Sequence, residues 1–260
     1  MNIASLLATT ARGQGNDTAV FLSERPLWTY RELARHASTL AHGLQGRLGV
    51  APGDRIVLWS GNSPEYIEVM FAAWFAGAVI VPVNIALYPK EVASIAADCG
   101  ASLCFAAPEK TSALQDEISS PGSRILPIDA ATLNDLRGEE HGFLNVPPTD
   151  TAWIFYTSGT TGRPKGAMLS HLNLLAMAFA YLADADFLSP RDSFLHLAPQ
   201  SHAGGLVMLA HIMKGTKRHS RSDRVRSGRS LPSDADVRFG YQLHVAHHAR
   251  AIHRDTGARR

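Results

Sequence analysis

The densest chemistry in this chain lies between Tyr156 and Gly166, where the string YTSGTTGRPKG gathers hydroxyl residues, glycines and a lysine. Glycines at 159, 162 and 166 let backbone N–H groups turn inward around an anion. Thr157, Ser158, Thr160 and Thr161 add hydroxyl donors, and Lys165 adds a mobile positive charge. The run Trp153-Ile154-Phe155-Tyr156 just upstream reads as a buried strand, so the segment reads as a phosphate cradle at a strand end rather than an ordinary polar turn. It is not the nucleotide loop of a P-loop kinase or GTPase, because Lys165 follows Pro164 and precedes Gly166, where that pattern needs Gly-Lys followed by Ser or Thr. Downstream, Pro199-Gln200-Ser201-His202-Ala203-Gly204-Gly205 carries a histidine that by itself reads equally as a polar turn or a hydrogen-bonded core residue. Cys99 and Cys104 lack the paired spacing and histidine neighbours of a zinc site, and read as reduced and structural; no metal site is expected.

The elements that must position these residues alternate in type. Thr29 and Glu32 form a capping box that opens a helix over Tyr30–Arg47, with Leu33, Ala37, Leu40 and Leu44 on one face. Ile56–Trp59 reads as a strand buried on both faces. Ser63 caps a helix with Pro64 at its first position, running to Gly77. Val79–Val83, Leu103–Ala106, Ile125–Ile128, Trp153–Tyr156 and Phe194–Leu197 follow as strands, with helices over Lys90–Asp98, after Glu109, over His171–Leu182 and over Leu206–Met213. Such alternation predicts an α/β fold with a doubly wound, mostly parallel sheet. The start, MNIASLLATTARG, has no basic region and long apolar core of a secretory signal, and the uncharged run Val69–Pro89 is broken by Gly77, Pro82, Asn84 and Pro89. No membrane span and a cytoplasmic location are the expectation.

The string YTSGTTGRPKG resembles, without departure, the signature loop of the adenylate-forming (AMP-binding) enzymes, which include acyl-CoA and aryl-CoA synthetases. Weaker likenesses flank it in the family's order: Trp28-Thr29-Tyr30-Arg31-Glu32-Leu33, Gly53-Asp54-Arg55, Asn62-Ser63-Pro64-Glu65, Phe75 to Asn84, and the His202 segment. The resemblance covers roughly residues 15–216. It implies a two-step ligase acting on a carboxylic acid, fatty or aryl, with ATP, magnesium carried on the substrate phosphates, and coenzyme A as the thiol co-substrate. Thr157, Ser158, Gly159, Thr160, Thr161, Gly162 and Lys165 would hold the ATP phosphates, and His202, Ala203 and Gly204 would lie by the acyl substrate. The resemblance also implies parts this sequence does not contain: a YGxTE-like segment, a ribose-binding aspartate, a hinge and a small domain bearing the adenylation lysine. The expectation is a truncated N-terminal domain, catalytically incompetent as it stands, with no oligomeric state implied.

From Lys217 onward the pattern changes. Residues 1–216 carry 14 basic against 19 acidic residues, whereas 217–260 carry eleven against four, a net +7. Only seven residues of that tail are Val, Leu, Ile or Phe, with no helical or alternating period, so residues 1–216 are expected to form the domain and 217–260 a disordered basic tail. A nucleotide-binding or regulatory module using this basic tail on nucleic acid or another anionic partner is the competing reading. The tail lacks the interleaved aromatics or helical basic stripe of a base-reading element, so nucleic acid is disfavoured. His244, His247, His248 and His253 lack the scaffold a metal site needs. Instead, Gly240–Arg259 can be encoded so that, read one base later, it spells V-T-S-F-M-L-P-T-M-L-A-R-F-I-A-T-P-A-L, which resembles the VT-x-x-x-x-PTML segment that follows the histidine element in this family. The tail is therefore expected to be an out-of-frame reading. Sequencing the gene should show that next frame open from Lys217 to Arg260, with a YGxTE-like segment downstream; stop codons there would return the basic-tail module to first place.

Overall fold

The computed structural model describes residues 1–23, 25–118, 123–157, 164–185, 187–220 and 237–239, with 218–220 and 237–239 described as backbone alone. In chain order the elements begin with helix α1 (Ser5–Gly13), hairpin strands β1 (Thr18–Leu22) and β2 (Arg25–Thr29), and helix α2 (Tyr30–Gly46). An alternating stretch follows: β3 (Arg55–Trp59), α3 (Pro64–Phe75), β4 (Val79–Pro82), α4 (Pro89–Cys99), β5 (Ala101–Ala106), α5 (Thr111–Glu117), β6 (Arg124–Pro127) and α6 (Ala130–Leu136). The remainder comprises β7 (Thr151–Thr157), β8 (Lys165–Ser170), α7 (His171–Ala180), β9 (Ser193–Leu195), α8 (Ala203–Met213), β10 (Lys217–Ser220) and β11 (Val237–Phe239).

Local chemistry explains several boundaries. The Glu32 N–H donates to Thr29 Oγ1 at 3.2 Å and the Thr29 N–H to Glu32 Oε2 at 2.8 Å, the reciprocal pair that opens α2. The Tyr66 N–H donates to Ser63 Oγ at 3.1 Å, with Pro64 at the first helical position of α3. Gly100 ends α4 at φ +61°, the left-handed conformation glycine adopts without steric cost.

The six-stranded sheet has the order β6-β5-β3-β4-β7-β8 and is parallel except for β8. Successive residues of a strand point to opposite faces, so each strand feeds two cores. Ile56, Leu58, Ile80, Leu103 and Phe105 pack with Leu33, Leu40, Ile67, Met70 and Trp74 of α2 and α3. Val57, Trp59, Val81, Cys104 and Ala106 pack with Val92 and Ile95 of α4 and Leu114 of α5. The doubly wound, mostly parallel sheet expected from the alternation is therefore present.

A second sheet, β11-β9-β10-β1-β2, was not apparent in the sequence. Its hairpin strands β1 and β2 are only five residues each, too short to display a period. Strand β8 escapes recognition because its first four residues are exposed, so no apolar face alternates. Helices α1 and α6 were missed as well: α1 has no side-chain cap hydrogen bond, and α6 is seven residues long. The helix expected to reach Leu182 ends at Ala180 and passes into a π turn over Tyr181–Ala185. Tyr30 Oη donates to the Thr216 carbonyl at 2.7 Å and Thr10 Oγ1 to the Ile212 carbonyl at 2.8 Å, tying the second sheet's β10 approach to α1 and α2. The backbone of β10 pairs with both β1 and β9, and that of β11 with β9, so among the described residues strand pairing enters the stretch beyond residue 216 that was expected to be disordered. Residues 221–236 and 240–260 of the tail, with their four histidines, lie outside the described residues.

Both cysteines are free thiols, and burial pushes Cys99 up to about 11 and Cys104 up to about 12, as inert core residues require. No described helix is long and apolar enough to cross a membrane.

Two buried groups, His171 and Glu68, and the half-buried His36 give the fold a pH signature. Burial lowers His171 and His36 from 6.5 to about 4. Burial raises Glu68 from 4.5 to about 7, against the pull of Arg137 at 2.8 Å. Between about 4 and 6.5 the unfolded chain holds two histidine protons the folded chain lacks, so stability falls with falling pH. Glu68 acts in the opposite sense from 4.5 to 7, where the folded chain keeps a proton the unfolded chain has lost. The net result is loss on the acid side and a maximum near 6.5. His171 Nδ1 accepts the Ile3 N–H at 3.0 Å, a bond that protonation removes. His171→Asn supplies an acceptor without a titrating proton, and denaturant midpoints measured across this range should show a shallower acid-side slope; an unchanged slope would remove His171 from the account.

Candidate functional site

Strand β7 organises the site. Ala152 and Trp153 are buried at its start, and Trp74 Nε1 donates to the Ala152 carbonyl at 2.8 Å, fixing β7 to α3. The strand leaves the core at Thr157, and β8 returns antiparallel with Tyr156 opposite Gly166 and Thr157 opposite Lys165. The predicted phosphate segment thus joins β7 to β8 at the carboxyl end of β7, the end at which open α/β sheets place their ligands. Thr157 and Lys165 stand across from each other at its base, both exposed. Ser158, Gly159, Thr160, Thr161 and Gly162 lie outside the described residues.

The base of the hairpin is held by a tyrosine. Tyr156 Oη donates to Asp98 Oδ2 of α4 at 2.5 Å, and burial together with that bond pushes the phenol well above its usual range. The Tyr156 ring lies over Gly166: a Cβ there would stand 3.0 Å from Tyr156 Cζ and 2.8 Å from Ile154 Cγ2. Glycine is therefore needed at 166 for close approach, not for an unusual backbone angle.

The second half of the site arrives from β9. His202 is exposed at the start of α8, and its ring meets Phe155 at 4.8 Å between centroids in an edge-on contact of 66°. Phe155 is two residues before Thr157, so β7 brings the histidine and the hairpin base together. Ala203 is half-buried. Gly204 is buried, and a Cβ on it would stand 2.7 Å from the Ala198 carbonyl and 2.8 Å from that of Pro199. Gly204 thus serves the close packing of α8 on the preceding turn.

Four residues the sequence did not single out complete the geometry: Asn62, Gln200, Asp98 and Phe155. Asn62 Nδ2 donates to the carbonyls of His196 at 3.1 Å and Ala198 at 3.0 Å, while its Oδ1 accepts the Gln200 N–H at 2.7 Å. Gln200 Oε1 in turn accepts the Ser63 N–H at 3.0 Å. These bonds span more than 130 residues of chain, so no local periodicity could have announced them. The available signal was Asn62 and Gln200 standing inside motifs already singled out for other residues.

The sequence profile described as AMP-binding enzyme matches residues 7–230. A feruloyl-CoA synthase from Amycolatopsis sp is 39% identical over 189 residues, covering 72% of this chain and 37% of the relative. A fatty acid–[acyl-carrier-protein] ligase, ScoC, from Streptomyces coeruleorubidus is 32% identical over 216 residues, covering 78% of this chain and 41% of the relative. Among solved structures, VinN with 3-methylaspartate superposes with a TM-score of 0.76 at 28% identity, covering 85% of this chain and 62% of that one. The chain thus spans about two-fifths of the length of these curated relatives. With residues 7–230 inside the family profile and an α/β fold shared with its solved relatives, this chain belongs to the AMP-binding enzyme family.

Proposed function

We propose that this chain is the phosphate-gripping and acid-facing part of an ATP-dependent carboxylate–CoA ligase. In that reaction a carboxylate oxygen attacks the α-phosphorus of ATP, the bond to the bridging oxygen breaks, and pyrophosphate leaves. A coenzyme A thiol then takes the acyl group from the acyl-adenylate and releases AMP. The observation that carries the reading is the placing of the Thr157–Lys165 hairpin base and His202 at one end of β7, with Phe155 between them. Charge builds on the leaving pyrophosphate, so fixed donors and a cation near it lower the barrier. Lys165 and Thr157, with Ser158, Gly159, Thr160, Thr161 and Gly162, are assigned to the phosphates. His202 and Ala203 are assigned to the acid end, with Gly204 letting α8 approach.

Magnesium would be held by the ATP phosphates. At the hairpin base the carboxylate in evidence is Asp98, which Tyr156 already engages, so no step is drawn through a protein-bound metal. The acid is a fatty or aryl carboxylate, and the printed names of the relatives span feruloyl and fatty-acid chemistry. The division at residue 216, the out-of-frame origin of 217–260 and a cytoplasmic location belong to the same proposal.

The expected behaviour of the purified 260-residue chain is phosphate binding without turnover. Pyrophosphate should bind measurably in calorimetry and lose about tenfold in affinity in Lys165→Ala, the loss expected for one charge-assisted hydrogen bond. ATP–pyrophosphate exchange with a panel of fatty and aryl acids should stay at background. Binding indifferent to Lys165→Ala would overturn the site assignment, and exchange above background that Lys165→Ala abolishes would overturn the expectation of incompetence.

A further inference from the structure

The side chain of His202 is not held by its own helix, although its carbonyl accepts the Gly205 N–H at 3.0 Å. His202 has no side-chain cap bond at the start of α8, and the described contact of its ring is with Phe155. The backbone leading into it is held locally by the bond from the His202 N–H to the Pro199 carbonyl at 3.0 Å and, from a distant part of the chain, by the Asn62 amide. That side chain uses both its donor protons and its acceptor on one strand of chain, bonding the His196 carbonyl, the Ala198 carbonyl and the Gln200 N–H. Three bonds to alternate residues define the path of a peptide far more tightly than one, because each further bond removes a remaining rotation. Gln200 returns a fourth bond from its Oε1 to the Ser63 N–H. Gln200 is fully buried, and among the described residues its Nε2 has no hydrogen-bond partner, so the side chain is retained at a desolvation cost with one bond to show for it.

We infer that Asn62 and Gln200 are positioning residues for the acid site: they clamp the β9–α8 connection onto the turn after β3, and thereby set where His202 stands against Phe155 and the hairpin base. The inference rests on the proposed function only in naming the surroundings of His202 as the acid site; the clamp itself is a matter of geometry. The turn after β3 is itself fixed at both ends, by the buried residues Ile56–Trp59 and by the capped start of α3. A displacement of the segment that leads to His202 therefore works against the clamp.

The test is the nuclear magnetic resonance spectrum of the imidazole of His202 in the full chain, assigned by comparison with His202→Gln. In the parent protein the edge-on Phe155 ring imposes a ring-current displacement on the His202 carbon-bound protons. Asn62→Ala should abolish that displacement. Gln200→Met, which removes the bond to Ser63 and keeps the three to Asn62, should reduce it by less, and it serves as the readout if Asn62→Ala does not fold. Cys104→Ala, which opens a cavity in the other core, should lower the melting temperature and leave the His202 signals in place. His202 signals unchanged in a folded clamp variant, or shifted equally in Cys104→Ala, would reduce Asn62 and Gln200 to general stability. Because no ATP or acid enters the measurement, this result is independent of the pyrophosphate experiment.

Discussion

Everything in this molecule that faces a ligand depends on the burial of parallel strands on both faces. A parallel ladder exposes no solvated side, so β3, β4 and β5 must be covered by helices above and below, and each crossover brings the chain back to start the next strand in the same direction. The strand ends then emerge together on one side. That single requirement lets the turn holding Asn62 meet the segment leading to His202, and Phe155 near the end of β7 meet His202, although they are far apart in the chain. The two cores differ in weight: α1, α2, α3, α7 and α8 supply residues to one, α4 and α5 to the other. The heavier side is the one on which Phe155 and His202 meet.

Legibility in the sequence followed length and burial. Strands β3, β4, β5 and β7 are readable because a strand buried on both faces has to be a continuous apolar run, and runs such as Ile56–Trp59 and Val79–Val83 are too short for a helix and too apolar for a turn. Helices α2 and α3 are readable because capping is local chemistry, with Thr29 and Glu32, or Ser63 and Pro64, adjacent in the chain. The second sheet is not, because a strand of three to five residues is defined by its partners rather than its own pattern: only its β9 was expected, and β1 acquires its identity from β2 and β10. The same contrast holds at the site. The phosphate segment is a contiguous string and can be recognised as one, whereas the Asn62–Gln200 clamp exists only when residues some 138 positions apart meet.

The comparisons and the geometry constrain different things. The profile and the relatives place the chain in a family of enzymes. They do not single out an acid, since relatives of similar identity carry names from different acid classes. The geometry separates residues by role within motifs that a family match treats as uniform. His202 faces out and Gly204 faces in, though they are two positions apart. Under the proposed function, selectivity for the acid would be sought among exposed side chains such as the former, while the latter answers to the packing of α8.

The pairing of Tyr156 with Gly166 bears on how the signature string would decay. Its first and last residues are a ring and the bare backbone beneath it, joined across a hairpin and braced by Asp98. Their fit concerns the strands, whereas the residues between them are the ones proposed to hold the phosphates of a nucleotide. A descendant released from nucleotide binding could replace the hydroxyls and the lysine freely and still be obliged to keep the tyrosine and its glycine. Divergence should therefore hollow the string from its centre, leaving a Tyr…Gly frame ten residues apart as the trace of an ancestor that once held phosphate.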